Sequence, residues 1–520
     1  MKKMTQPISV LVSYPSSFGG GPRETYGNSG ILISEHWVLT HGSLINPMML
    51  RDLRIRKIFQ NLRIDEFFNI QEEIRRDMKF RVMWESSKGV NRKRHMEEKE
   101  GVTVFAWKCS LLKETFDSLF ASWSFDKVAN TDRCLLPVFL MISLKSGQSG
   151  NSISAAREAL DSFVQQDLAY PMRGSITEVE STPFGNPVFI DSVARGVVSN
   201  VVGFQRCVIL TDANSVPGCE GGPVYIIDER GQRRICGMVI APLSWCRGEW
   251  VDYTFVANLN SCLQQVLSRM QCCRSLKTQP LTKEKFGTEN SKLADLLDKS
   301  VVTVKCGSSW GTGILVDVKS GTVLTCSHVV REAPDSGIKV MLRRDDENKS
   351  ISPTWARLVY RTPDDKPYDV AVLRVNPKEV DPSLRAIVIQ GVSAHRGEAV
   401  ATAGFPFFSS SLPTISRGNV SRSLACMLQT TCCVQSGTSG GPVVRWSTGE
   451  MLGMVVCNAV SSSDSALYPR LNMAIPASVL KGPLEEYLRT NDAKVLEALA
   501  SQDAIVHQTW DLYLTPRSKM

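Results

Sequence analysis

The chain has 520 residues, 43% hydrophobic and 22% charged, a globular composition sufficient for about two to four ordinary domains, which excludes a disordered or fibrous polymer. Its 60 basic residues are diluted by 52 acidic ones, and the densest basic run, "NRKRH" at 91–95, is followed at once by "MEEKE", so nucleic acid is not an expected partner. No segment has the apolar length to cross a bilayer, no secretory leader is evident, and fifteen cysteines without a metal spacing suit free thiols in a reducing compartment, so no membrane span, metal or cofactor is expected.

Short runs rich in Val, Ile, Leu and Thr, punctuated by Gly, Pro, Ser and Asn, predict antiparallel strands closing into barrels. One such run is "GILISEHWVLT" from Gly30. A charged and aromatic stretch at about 51–132 reads as a long decorated loop inserted in the first half, without a counterpart later. After it come "ARGVVSN" from Ala194, the turn "SVPGCEGGPV" from Ser215 and "GMVI" from Gly237. Residues 271–299 are polar and Lys-rich and read as a linker. The second half repeats the first in the same order: "GILVDVKSGTVLT" from Gly313, "SRGNVSR" from Ser416, "VQSGTSGGPV" from Val434 and "GMVV" from Gly453. Residues 207–223 align without a gap on 426–442. Helical signals are few and fall near Lys292, Pro483 and Val495.

Three residues of the second half form a candidate catalytic set. His328 follows a strand-like run in "VLTCSHVV", Asp369 opens "YDVAVLRV", and Ser439 lies in the glycine-flanked turn "SGTSGGP". A serine hydroxyl becomes a useful nucleophile when an imidazole can take its proton, and a carboxylate fixes that imidazole's tautomer. The glycines allow the amides of Gly437 and Ser439 to converge on a developing oxyanion. Singly, each residue fits a bland role in a turn or at a strand end; their order His, Asp, Ser within one repeat points to catalysis. In the first half, Ser43 stands in the histidine column, Glu220 in the serine column, and no strand opening matches Asp369; His41 falls two positions early.

Residues 300–490 resemble trypsin-clan serine proteases, most of all the HtrA/Deg family: "TCSHVV" is similar to its TNAHVV, "DVAVLRV" to DIAVLKI, "SGTSGGPVV" to GNSGGPL and "LNMAIPAS" to its FAIPS segment. The resemblance implies a mainly β fold, with two chymotrypsin-like double β-barrel units in tandem, the first degenerate, and few helices. The expected organisation is a protease-like domain without the catalytic set at 1–270, the linker, the catalytic domain at 300–490, and a tail at 491–520. About thirty residues follow Tyr487, so the PDZ domain common in that family is not expected. In the clan the floor of the primary specificity pocket lies six residues before the nucleophile, here Cys433, with Val455 and Cys457 on the flanking strand. An uncharged floor suits a small or uncharged substrate side chain.

The chain ends Ser518-Lys519-Met520, similar to the tripeptide read by peroxisomal import. With the degenerate first half, the whole chain resembles the family of peroxisomal leader peptide-processing proteases. That resemblance implies a location in the peroxisomal matrix, precursor proteins as substrates, cleavage of amino-terminal leaders after cysteine, processing of some enzymes with carboxyl-terminal signals, and the import receptor as a partner. Self-association and self-cleavage are further expectations, with "WKCSLL" around Cys109 and Ser110 as the candidate cut by analogy. The alternatives left open are a general Deg-type quality-control protease and a peptide-binding scaffold without catalysis.

Overall fold

The β-branched runs form strands that return on themselves in rings of six, a solution that pairs both edges of every strand. The structure is a computed structural model that describes residues 7–16, 24–86, 95–125, 131–144, 152–166, 168–246, 249–270, 288–333, 337–342, 353–391, 393–406, 412–460 and 467–511. The chain divides into two units, Met1–Thr288 and Glu289–Met520.

The first unit opens with β1 (Ile8–Ser16), β2 (Glu24–Ser34), β3 (Trp37–His41), β4 (Lys79–Ser86), β5 (His95–Lys108) and β6 (Val138–Ser143). Their pairings run β1-β2-β3-β6-β5-β4 and return to β1, closing a ring. The second ring comprises β7 (Ile176–Ser181), β8 (Ser192–Val202), β9 (Val208–Thr211), β10 (Pro223–Ile227), β11 (Arg233–Ala241) and β12 (Thr254–Asn258), in the order β7-β8-β9-β12-β11-β10.

The second unit repeats this arrangement. Its first barrel is β13 (Val301–Cys306), β14 (Ser309–Asp317), β15 (Thr322–Thr325), β16 (Ile338–Met341), β17 (Thr354–Arg361) and β18 (Ala371–Val375), in the order β13-β14-β15-β18-β17-β16. Its other barrel is β19 (Ala399–Gly404), β20 (Thr414–Ser423), β21 (Leu428–Thr430), β22 (Pro442–Arg445), β23 (Met451–Val460) and β24 (Leu467–Pro476), in the order β19-β20-β21-β24-β23-β22. All four rings thus share one strand order, and the fold is the expected tandem of double β-barrels. Each core is filled from the inward faces, with Val302, Val304, Ile314, Leu324 and Leu373 among the buried side chains of the third ring.

Three expectations change. The stretch at about 51–132 is not an insert without a counterpart: it supplies β4 and β5, which hold the ring positions of β16 and β17. The added material is the helical segment α1 (Asn46–Arg51) and α2 (Leu53–Gln60) before β4, and α3 (Ser110–Ser118) after β5. The linker expected at 271–299 ends in helix α6 (Thr288–Ser300), whose Leu293, Ala294 and Leu297 join the core of the second unit. The tail is likewise packed as far as Asp511: Leu496 and Leu499 are fully buried, and helix α8 (Ala504–Trp510) lays the Trp510 ring against Tyr368, with its indole N–H donating to the Cys426 carbonyl at 2.9 Å. Between these lie α4 (Ile153–Gln166), α5 (Leu259–Met270) and α7 (Ala477–Thr490), each with an apolar stripe toward a barrel. Among the described residues, no helix is long and apolar enough to cross a membrane.

Candidate active site

His328 begins a short 3-10 turn directly after β15, and Asp369 stands two residues ahead of β18, the strand paired with β15. Because Thr325 is paired with Ala371, the two strands bring His328 and Asp369 out at the same end of the barrel. The Asp369 carboxylate accepts from the His328 backbone N–H at 2.9 Å and, through its other oxygen, from Nδ1 of the His328 ring. The ring is half-exposed on its far side. An imidazole whose Nδ1–H is held by a carboxylate keeps Nε2 as its basic nitrogen.

Ser439 approaches from the other barrel. Its turn is forced by Gly437 at φ +98° and Gly440 at φ +86°, conformations that side chains with a Cβ rarely adopt. A Cβ on Gly440 would lie 2.1 Å from the Thr312 carbonyl, so only glycine lets the turn dock so closely on β14 and β15. Thr312 fixes it at two points: its backbone N–H donates to the Ser439 carbonyl at 2.9 Å and its hydroxyl to the Gly437 carbonyl at 2.8 Å. The same hydroxyl accepts from the Phe405 amide at 3.1 Å, and Thr325 donates to the Thr312 carbonyl at 2.7 Å. β14, whose partner β15 leads toward His328, therefore carries the turn bearing Ser439. Within that turn, the Thr438 and Gly440 amides donate to protein carbonyls, while those of Gly437 and Ser439 have no acceptor among the described residues. Free backbone amides of this kind are what an oxyanion requires.

Of the residues expected to line the pocket, Val455 and Cys457 lie on β23. Cys433 is buried, its amide donates to the Ser416 hydroxyl at 2.6 Å, and the buried Gln435 side-chain amide reaches its sulfur at 3.7 Å. Gln435 was not singled out from the sequence, because only its position beside the floor gives it meaning. Val455 is fully buried in β23, and Asn458 on the same strand donates to the Val434 carbonyl at 2.9 Å. Burial pushes the Cys457 thiol up to about 12, and the nearby Asp369 charge adds to the shift. Cys326 is fully buried and its thiol donates to the Val455 carbonyl at 3.3 Å; burial raises it well above its ordinary value, with Asp369 adding to the shift. Cys326, His328 and Asp369 together offer a sulfur, a nitrogen and an oxygen within 4.8 Å of one another. Nothing in the sequence singles out Cys326 among the fifteen cysteines.

The corresponding place in the first unit has the same frame and different chemistry. Gly218 and Gly221 stand at φ +94° and +87°, and the Ser29 hydroxyl donates to the Gly218 carbonyl at 2.8 Å as Thr312 does to Gly437. Thr40 faces Leu140 as Thr325 faces Ala371, so the residue in the Asp369 column is Val138, fully buried. Ser43 holds the histidine column, hydrogen-bonded to Asn28 at 2.8 Å and to Nδ1 of His41 at 2.9 Å. His41 does not reach the site: it is buried, with Nε2 on the Leu136 carbonyl at 3.1 Å, and loss of water lowers its pKa to about 4. Glu220 accepts from the Gly218 amide at 2.7 Å and from its own amide, so a carboxylate sits on both oxyanion donors. Enclosure of that carboxylate raises its pKa to about 7 despite the two amides.

Cys109 and Ser110 are buried where β5 meets α3. The Cys109 amide donates to the Pro137 carbonyl at 2.8 Å and the Ser110 amide to Asp65 at 2.9 Å, and Asp65 is held in turn by Gln265 and Arg269. A protease binds its substrate extended, so a cut here requires this corner to open first. Ser518, Lys519 and Met520 lie outside the described residues. The described cysteines are all free thiols, most of them buried.

Residues 311–454 match the trypsin-like peptidase domain family. The chain is 31% identical over 433 residues to the human peroxisomal leader peptide-processing protease, covering 78% of this chain and 73% of that protein. It is 32% identical over 362 residues to the mouse protein of the same name, covering 65% of this chain and 61% of that one. It is also similar to protease Do-like 1 of Arabidopsis thaliana chloroplasts, 29% identical over 38% of this chain and 42% of the relative.

Proposed function

The chain belongs to the peroxisomal leader peptide-processing protease family, and from that premise we propose that it is the processing endopeptidase for proteins imported into peroxisomes, acting through Ser439, His328 and Asp369. It is a peroxisomal serine endopeptidase with a trypsin-like domain. The observation that carries the residue assignment is the double hydrogen bond from His328 to Asp369, in the same barrel whose strand β14 anchors the Ser439 turn.

In the proposed reaction the Ser439 hydroxyl attacks the scissile carbonyl while Nε2 of His328 takes its proton. Asp369 holds the ring by Nδ1–H and stabilises the imidazolium that forms. The amides of Gly437 and Ser439 receive the oxyanion; losing one such donor costs about a hundred- to thousandfold in rate. The protonated His328 then gives its proton to the leaving amine, and water repeats the sequence on the acyl-enzyme.

The substrates proposed are precursor proteins carrying amino-terminal targeting leaders, cut after cysteine, together with some enzymes bearing carboxyl-terminal signals. A buried thiol floor at Cys433, dressed by the neutral amide of Gln435, supports a small, weakly polar side chain there and offers no partner to Lys or Arg. The substrate backbone would pair alongside Val455 to Asn458. Entry by the import receptor through Ser518-Lys519-Met520 belongs to the same reading. The test is cleavage of a leader-bearing precursor by the full chain and by Ser439→Ala, with amino-terminal sequencing of the product. One product beginning after a cysteine, absent with Ser439→Ala, is expected; full activity in the variant refutes the assignment. Degradation of unfolded casein to many short peptides would instead favour a Deg-type quality-control protease, which the plant relative keeps in view.

A further inference from the structure

We propose that the catalytic cleft doubles as a zinc site, formed by Sγ of Cys326, Nδ1 of His328 and a carboxylate oxygen of Asp369, and that Zn2+ bound there switches the protease off. The regulatory half of this inference rests on His328 being the general base.

The geometry is close to what the ion needs. Tetrahedral Zn2+, with bonds of about 2.0–2.3 Å, holds its ligand atoms about 3.3–3.6 Å apart. The three donor atoms already lie within 4.8 Å of one another, with Nδ1 and the carboxylate in hydrogen-bond contact. Opening that contact and drawing the sulfur inward each take roughly 1 Å of side-chain movement, and a water completes the set. Thiolate, imidazole and carboxylate together are zinc ligands, whereas Mg2+ and Ca2+ favour oxygen alone.

The surroundings favour the exchange. The Cys326 thiol gives up only a weak S–H bond to the Val455 carbonyl. Asp369 keeps its grip on the His328 backbone N–H through the other oxygen, so the carboxylate stays anchored while one oxygen turns to the metal. The half-exposed His328 ring gives the ion a way in from solvent.

The consequence follows from the two nitrogens of imidazole. In the metal-free site the proton on Nδ1 is held by Asp369 and Nε2 has the lone pair that accepts from serine. Zn2+ on Nδ1 takes that nitrogen's lone pair, and the neutral ring then carries its proton on Nε2. The base has become a donor and cannot accept the Ser439 proton. The Nδ1 proton is exchanged for one on Nε2 through solvent, the Cys326 thiol proton is released, and nothing is oxidised or reduced.

The experiment uses the full chain with Ser439→Ala, in which self-digestion is absent, titrated with Co2+ as a coloured stand-in for zinc. A near-ultraviolet thiolate-to-cobalt band that saturates with Co2+, disappears on adding Zn2+ and is lost in the Ser439→Ala/Cys326→Ser double variant is expected. In parallel, Zn2+ should slow fluorophosphonate labelling of Ser439 in the native chain, and EDTA should restore it. Against its own metal-free rate, Cys326→Ser should need about tenfold more Zn2+ or more for half-inhibition. No thiolate band, or equal zinc sensitivity with and without Cys326, overturns the site. A cobalt band in a protein whose Ser439 is never labelled, with or without metal, supports the site and overturns the catalytic premise instead.

Discussion

Glu220→Gln and His41→Gln remove two groups of the first unit whose altered ionisation falls between pH 4 and 7, and they pull in opposite directions. Glu220 holds its proton more tightly in the fold, its pKa rising from 4.5 to about 7. Its contribution is complete below pH 4.5 and lost as pH rises through about 7; the shift is worth about 3 kcal/mol. That is a ceiling, since part of Glu220 stays exposed to water. His41 resists protonation in the fold, its pKa falling from 6.5 to about 4, so its contribution is complete above pH 6.5 and lost as pH falls through about 4, again about 3 kcal/mol. Over the shared window the two slopes nearly cancel in the native chain. Glu220→Gln should leave the acid-sensitive slope alone, and His41→Gln the opposite one. Hydrogen exchange of β7–β12 peptides, corrected for intrinsic rates and expressed as variant minus parent at each pH, measures both while removing other groups' contributions. Variants whose difference from the parent is flat from pH 4.5 to 6.5 would refute the reasoning.

Asp369→Asn replaces an acceptor of two charge-assisted hydrogen bonds and offers Nδ1 a donor, so kcat should fall on the order of 10⁴-fold; peptide hydrolysis within tenfold of the parent contradicts this. Thr312→Val removes the hydroxyl shared by Gly437 and Phe405, two bonds worth about 1–3 kcal/mol, which should lower the melting temperature of the second unit by about 3–10 °C in calorimetry. An unchanged transition would mean the turn is held elsewhere. Glu220→Ser should create no second fluorophosphonate target, because Ser43 and Val138 stand where a base and its carboxylate are needed; adduct mapping that finds residue 220 labelled overturns that account of the silent half.

What the sequence made legible was local. The His328 and Ser439 motifs are short and surrounded by the glycines and strand residues that place them, so a single chain suffices to read them. The columns between distant strands were not legible: Val138 stands in the place of Asp369 only through the register of β3 with β6, and nothing in "LLPVFLMIS" announces it. The strand β5 was hidden for a different reason. Its first half, "HMEEKEG", is charged and mostly exposed, because there only β4 covers it, and the apolar pattern begins only at Val102, where the partner strand β6 starts. Helix α4 carries Ala156, Leu160, Phe163 and Val164 at helical spacing, a pattern left unassigned among the surrounding strand signals. The cluster at Cys326 escaped because its third member lies 41 residues beyond His328 and meets the others only when β15 pairs with β18.

Glu220 also offers a measurement that working proteases deny. In a working serine protease an anion rests on such paired amides only for the lifetime of an intermediate, too briefly to titrate. In the first unit a permanent carboxylate rests on the same construction, with the backbone in nearly the same conformation. Its proton affinity, followed by NMR as residues around the turn are changed, is an equilibrium gauge of how strongly such a nest of amides holds negative charge.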